Sequence, residues 1–103
     1  MTLQEFRDVL LEADPDTKHY WTKAAGNYTT WHEYRSEALA GDDARIGTKW
    51  HIQVDRFTKL EYDPMVDVMG AALDAWVEIG YVYRVDYEID TGYIHHTWDC
   101  EVV

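Results

Sequence analysis

The chain has 103 residues, and 20 Asp and Glu against 9 Lys and Arg give it a formal net charge of −11 with histidine neutral. Its length is that of one domain, residues 1–103, and its hydrophobic content of 47% is typical of a folded globular protein rather than a disordered tail. The scattered basic residues exclude the clustered Lys and Arg of a nucleic-acid-binding surface, and no run approaches the roughly 20 apolar residues that span a bilayer.

The first predicted element is an amphipathic helix. Thr2 and Glu5 have the spacing of a capping box, which places a helix start between them. Apolar residues recur at intervals of three and four from Leu3 to Ala13, and Pro15 disfavours helical geometry in the residue before it. The pattern predicts a helix of about three turns.

Three strands are predicted after this helix. "KHYWTK" and "YTTWHEYRSE" are rich in aromatic and β-branched residues and flank "AAGN", which predicts a hairpin. "EALAGDDARIG" offers no buried face and predicts an exposed loop. "IGTKWHIQVDRFTK" alternates apolar and polar residues, which predicts a long strand with one apolar side.

A second helix and a second hairpin complete the chain. Asp63, Pro64 and Gly80 are the expected cap, first residue and end of a helix. Its predicted core face consists of Met65, Val68, Met69, Ala72, Leu73 and Trp76. "YVYRVDYEID" and "TGYIHHTWDCEVV" predict two strands joined through a turn. The predicted fold is therefore α+β, in the order α-β-β-β-α-β-β, with two helices packed on a mixed or antiparallel sheet of about five strands.

His95 and His96 raise the possibility of a metal site, because imidazole and the nearby Asp99 carboxylate both bind transition metals. Side chains alternate along a strand, so the two histidines point to opposite faces. His95 and Asp99 share a face but lie about 13 Å apart along an extended strand, too far to bind one ion. A metal would need ligands from another strand, such as His51 or His32, and no motif of recognised spacing supplies them. We predict no metal and no cofactor.

Other catalytic arrangements are also weak. Asp86, Glu88 and Asp90 fall on one strand face, which in so acidic a chain favours a solvated surface over paired catalytic carboxylates. Cys100 is the single cysteine; it has no disulfide partner and no helix N-terminus to activate it. The absence of a disulfide and of a basic, apolar leader favours a protein made in the cytoplasm. Three tryptophans on apolar faces are predicted core residues: Trp50, Trp76 and Trp98. We predict that the protein is not an enzyme.

Three segments, "GNYTTWHEYRSE", "HIQVDRFTKLEYDP" and "DTGYIHHTWDCEVV", resemble in sequence and order those of a family of small tail-completion proteins of siphophages and Firmicutes prophages. The resemblance extends from about His19 to the C-terminus and includes no catalytic signature. It implies a tail terminator or tail-to-head joining protein, whose α+β subunits form a ring, commonly a hexamer, at the head-proximal end of the tail tube.

The resemblance also implies partners and a location. The partners would be other copies of the chain, the tail tube protein and a head-completion or connector protein, in a virion made in the bacterial cytoplasm. Sequence-specific nucleic-acid binding and membrane association are not expected. We expect the centre of the predicted loop to be mobile in the free subunit and to become ordered against a neighbouring subunit or the tube. This candidate interface consists of Ala40, Gly41, Asp42, Asp43, Ala44 and Arg45.

Two other classes of function remain open at this point. An acidic DNA mimic that inhibits a DNA-binding protein would carry carboxylates at phosphate-like intervals on one face and would be a monomer or dimer. A small metal-dependent hydrolase would bind a metal stoichiometrically when purified.

Overall fold

The structure is a computed structural model that describes residues 1–23, 25–41 and 44–103, with the backbone alone at Arg45. In these residues two helices pack on one side of a five-stranded sheet. The elements are, in chain order, α1 (Leu3–Ala13), β1 (Lys18–His19), β2 (Tyr28–Gly41), β3 (Ala44–Thr58), α2 (Pro64–Asp74), β4 (Ile79–Tyr87) and β5 (Ile94–Val102). The predicted α+β class and element order are confirmed.

The sheet has the strand order β1-β2-β3-β5-β4, and it is mixed because β1 runs parallel to β2 while the other neighbours are antiparallel. The hairpin predicted from "KHYWTK" is therefore wrong. β1 has two residues, and it pairs Lys18 with Thr30 and His19 with Trp31. Tyr20, with a left-handed φ of 71°, turns the chain away, and its N–H donates to the Trp31 carbonyl at 2.6 Å. This turn ends β1 after two residues, so the segment does not fold back on β2 as an antiparallel strand.

The loop predicted from "EALAGDDARIG" is mostly strand. The backbone pairing of β2 with β3 continues from Glu37, opposite Lys49, to Gly41, opposite Ala44. β5 pairs with β3 only from Trp50 on, so residues 36–41 and 44–49 form a two-stranded arm that extends beyond the sheet. The arm is joined by backbone hydrogen bonds, which do not depend on the side-chain pattern, so the lack of apolar alternation did not reveal it.

Both helices begin where the sequence predicts. Thr2 and Glu5 form the capping box, with side-chain bonds of 3.1 and 3.0 Å to each other's backbone N–H. The Asp63 carboxylate accepts from the Met65 N–H at 3.0 Å and caps α2. The end of α2 was predicted wrongly, because the helix stops at Asp74 and Gly80 lies in β4.

The core lies between the helices and one face of the sheet. Its buried apolar residues are Phe6, Val9, Leu10, Trp31, Ile52, Val54, Met69, Leu73, Ile79, Trp98, Cys100 and Val102. Of the three tryptophans predicted to lie in the core, Trp98 is buried there, and Trp50 packs against the core while partly exposed. The predictions for Trp76 and Val68 are wrong: both are nearly half exposed, Trp76 because it follows the end of α2.

A buried arginine joins the helix layer to the sheet. The Arg56 guanidinium, on β3, donates to Asp63 at 2.9 Å, to Thr29 at 3.2 Å and to Asp14 at 3.4 Å. Asp14 is the C-cap of α1 and Asp63 the N-cap of α2, so one side chain fixes an end of each helix. Burial raises the pKa of Asp63, but the bonds from the Met65 N–H, Arg56 and Thr58 outweigh this and hold that pKa below its usual value.

We predict that Arg56→Met destabilises the protein by about 3–5 kcal/mol, because it leaves the carboxylates of Asp14 and Asp63 buried without their cation. Urea unfolding at neutral pH measures the change. Arg7→Met is the matched control; Arg7 pairs with Asp8 on the surface, and its loss should change the free energy of unfolding by less than about 0.5 kcal/mol. Similar small effects in both variants would contradict a structural role for the Arg56 network.

Candidate functional site

The second face of the sheet, opposite the helices, carries mostly polar side chains. Strand alternation and the register place on it the side chains of Tyr28, Thr30, His32, Arg35, Glu37, Lys49, His51, Gln53, Asp55, Phe57, Val82, Arg84, Asp86, His95, Thr97, Asp99 and Glu101. We call it the open face. Within the described residues no helix packs on it.

His95 lies at the centre of an aromatic and acidic cluster on this face. Its ring stacks on Phe57 with the centroids 4.1 Å apart, and Phe57 stacks on Tyr28 at 4.8 Å. Its Nε2 meets Asp55 at 2.7 Å and its Nδ1 meets Glu88 at 3.3 Å. A carboxylate at each ring nitrogen requires both nitrogens to donate, which is the charged form of histidine. The bond to Asp55 raises the pKa of His95, more than its burial lowers it.

Asp55 is buried but fully bonded. Burial raises its pKa, whereas hydrogen bonds from His95, from Gln53 at 2.9 Å and from Thr97 at 3.3 Å outweigh this and lower it. Asp55, His95 and Thr97 include the residue types of a nucleophilic triad, but Asp55 and Thr97 both meet the same imidazole nitrogen. A triad needs the carboxylate and the hydroxyl on opposite nitrogens, so this arrangement is suited to an ion pair rather than to proton relay.

A second cluster lies nearer the arm. His51 Nε2 meets Glu37 at 2.8 Å, Arg35 donates to Glu37 at 2.7 Å, and Lys49 meets Glu101 at 3.0 Å. In the part of the chain that the structure describes, no group of three or more His, Cys, Asp or Glu side chains is arranged to hold a metal ion. Four of the open-face carboxylates, those of Glu37, Asp55, Asp99 and Glu101, meet cations, hydroxyls or an amide of the same face.

The two adjacent histidines diverge as predicted. His96 lies on the helix side, is buried, and meets the Tyr83 hydroxyl through Nδ1 at 2.6 Å, while its Nε2 has no partner in the described residues. Burial lowers the pKa of His96. Asp99 accepts from the Tyr34 hydroxyl at 2.6 Å rather than meeting His95. Burial also raises the pKa of the Cys100 thiol to about 12, which disfavours a nucleophilic role.

The interface predicted from the sequence lies at the tip of the arm. Ala40 pairs with Arg45 and Gly41 with Ala44 through the backbone, while Asp42 and Asp43 lie outside the described residues. The tip therefore sits at the far end of a projecting hairpin, in a molecule whose longest dimension is 50 Å.

A second exposed feature, the outer edge of β4, was missed. Val82, Val85 and Tyr87 are 69%, 48% and 65% exposed, so apolar side chains project on both faces of this edge strand. Its pairing with β5 is regular from Ile79 to Tyr87. The available signal in "YVYRVDYEID" was Val82, because it places one apolar residue on the face otherwise taken by Arg84, Asp86 and Glu88, whereas a strand with one solvated face alternates throughout.

No protein-family model matches the sequence, and no curated protein matches it either. No helix in the described ranges is long and apolar enough to cross a membrane.

We predict that His95 and His96 titrate on opposite sides of the ordinary histidine pKa of about 6.5. NMR of the imidazole carbons should give His95 a midpoint above this value and His96 one below it, and Asp55→Asn should lower the His95 midpoint. Because the folded-state pKa of His95 is raised, its ion pair stabilises the fold below pH 6.5, and that contribution is lost as pH rises through the folded-state pKa. Midpoints on the same side would contradict the described environments.

Proposed function

We propose that this protein is a structural subunit of a phage or prophage virion, of the tail terminator or tail-to-head joining kind, and that it forms a ring at the head-proximal end of the tail tube. Its partners would be its own copies, the tail tube protein and a head-completion or connector protein. The observation that carries the proposal is a sheet with two free edges of opposite direction, joined to a resemblance to tail-completion proteins. Catalysis is not part of the proposal.

The two edges suit head-to-tail assembly. β1 pairs only with Thr30 and Trp31 in the described residues, so the edge of β2 from Arg35 on has no strand beside it. Among the described strands none lies beside the outer edge of β4. Since β2, β3, β5 and β4 alternate in direction, β4 of one copy would lie antiparallel to β2 of the next, with both helix layers on one side. A repeated contact between different surfaces closes into a ring when the rotation fits.

Such a ring would place the helices outside and the open face around the channel. In the described residues the acidic side chains of this face, Glu37, Asp55, Asp86, Asp99 and Glu101, outnumber by one the basic Arg35, Lys49, Arg84 and charged His95. A negative lining repels phosphates, so DNA would pass without the salt-dependent adhesion that a basic channel produces.

The arm adds a second reason to expect a neighbour. An isolated two-stranded hairpin is at best marginally stable in water, and this one exposes Ile46 by 71%. Contact with an adjacent subunit or with the tail tube would cover it. This agrees with the interface predicted from the sequence at residues 40–45.

Net charge opposes assembly. Each chain carries a formal −11, and exposed ion pairs contribute only about 0.2–1 kcal/mol each, so repulsion between subunits is expected to dominate at low salt. Salt screens such repulsion over about 8 Å at physiological ionic strength.

We predict that the 12.1 kDa chain is largely unassembled at low salt and forms rings, with six copies as the expected number, as salt rises to about 0.15 M. Light scattering coupled to size exclusion measures the mass, with the purified tail tube protein added in a parallel series. A monomer under all these conditions would contradict the proposed function. Rings that dissociate as salt is added would contradict the electrostatic account alone.

A further inference from the structure

We propose that β4 of one copy pairs with the arm segment of β2 in the next copy, in the register that sets Arg84 opposite Glu37 and Asp86 opposite Arg35. This inference rests on the proposed ring and identifies the surfaces that would build it. The occupant of the β4 edge is thus a second copy of the chain.

The β4 edge has few of the features with which proteins protect edge strands. Such edges usually carry charged side chains, above all lysines, or proline, a bulge or a covering loop, and of these β4 has the charges of Arg84 and Asp86. β4 has nine residues, no lysine or proline, and no irregularity in its pairing with β5. It exposes apolar side chains on both faces. An edge of this kind is a template for another strand.

The free backbone groups of β4 can be assigned from its ends. Glu88 N–H donates to the Tyr93 carbonyl at 2.8 Å, and Val103 N–H donates to the Glu78 carbonyl at 3.1 Å. Even-numbered positions therefore face β5, and by alternation Tyr83 and Val85 direct their N–H and C=O groups outward.

The free backbone groups of β2 follow in the same way. Trp31 accepts from Tyr20 on the outer side, so odd positions face outward at that end. The irregularity between Glu33 and Arg35 shifts the alternation by one residue, so Ser36 and Ala38 face outward in the arm. Both β4 and the arm segment of β2 therefore have backbone N–H and C=O groups that point away from their own sheet.

Charge selects one register. With Val85 opposite Ser36 and Tyr83 opposite Ala38 as hydrogen-bonded pairs, Arg84 faces Glu37 and Asp86 faces Arg35 as the closely spaced, non-hydrogen-bonded pairs. Slipping by two residues in one direction sets Asp86 opposite Glu37. Slipping in the other direction sets Arg84 opposite Arg35. Both slips place like charges together, which is destabilising.

The side chains of β4 are available for these pairs. Arg84 makes no ion pair in the described residues, and Asp86 has only an electrostatic interaction with His95, directly opposite it on β5; both side chains are exposed. Arg35 and Glu37 bond to each other at 2.7 Å on the surface and can extend that pairing to a neighbour. The register therefore places a charge of opposite sign beside Arg84 and beside Asp86.

The register also gives the offset that a closed sheet needs. Within one chain Ser36, Trp50, Val102 and Ile79 lie in one row across the sheet, whereas the proposed contact sets Val85 beside Ser36. The next copy is thus displaced along the strand direction by about six residues, roughly 20 Å. Each copy contributes four strands, which span about 19 Å across the sheet. This corresponds to a strand tilt of about 45°, at the upper end of the range for closed barrels.

A two-fold contact between two β4 strands is the competing arrangement. Centred on Val85, it sets Arg84 opposite Asp86 of the other copy, so it also satisfies the charges. It leaves the arm edge of β2 uncovered, which is why the head-to-tail contact is favoured.

Charge exchange separates the two arrangements. One variant carries Arg84→Asp with Asp86→Arg, a second carries Arg35→Glu with Glu37→Arg, and a third carries all four changes. The net charge stays the same in each, so general repulsion is constant. We expect each pairwise exchange to lower the association constant at least about tenfold and the fourfold exchange to restore most of the loss. The association constant comes from light scattering over a concentration series, and urea unfolding checks that each variant folds.

Three results would overturn the inference in different ways. If the unaltered chain and both pairwise variants form only a dimer by mass, and neither exchange weakens it, the contact is the two-fold β4 pair. If rings form and neither exchange affects them, another surface joins the subunits, and the proposed function stands. If the unaltered chain never assembles, even with the tail tube protein, the proposed function fails with the inference.

Discussion

The buried guanidinium of Arg56 is the interaction on which the rest of this structure depends. It bonds the C-cap of α1 and the N-cap of α2 from the central strand β3, at 3.4 and 2.9 Å. Because its two carboxylate partners terminate helices, their charges are fixed where the chain enters and leaves the helical layer. The helices are thereby held on one face of the sheet. All that is proposed for the other face follows from this asymmetry.

The open face is polar, and most of its charged groups in the described residues are paired. His95 is held between Asp55 and Glu88, His51 meets Glu37, and Asp99 accepts from Tyr34. Bonded in this way, acidic side chains can remain next to water without a ligand or metal to neutralise them. This suits the lining of a channel better than a catalytic cleft, where a base must be free to take a proton.

Local signals in the sequence predicted local structure well. The Thr2 capping box, the Asp63-Pro64 helix start and the opposite directions of His95 and His96 each depend on neighbours within a few residues, and each is confirmed. The errors arose where partners are distant or absent. Periodicity states which face a strand residue takes but not which strand it joins, so the parallel β1 and the arm were missed. Arg56 was missed because Asp14 lies 42 residues away.

We propose that copies join through the edges of the sheet, since β4 and the arm segment of β2 have no strand beside them in the described residues. The open question is how copies are arranged around one another. Electron microscopy of the particles assembled at moderate salt tests this most directly. The account predicts closed rings in which the strands run continuously around the channel and the helices form the outer wall. Rings with the helices lining the channel, or separate two-fold dimers joined through β4, would contradict it.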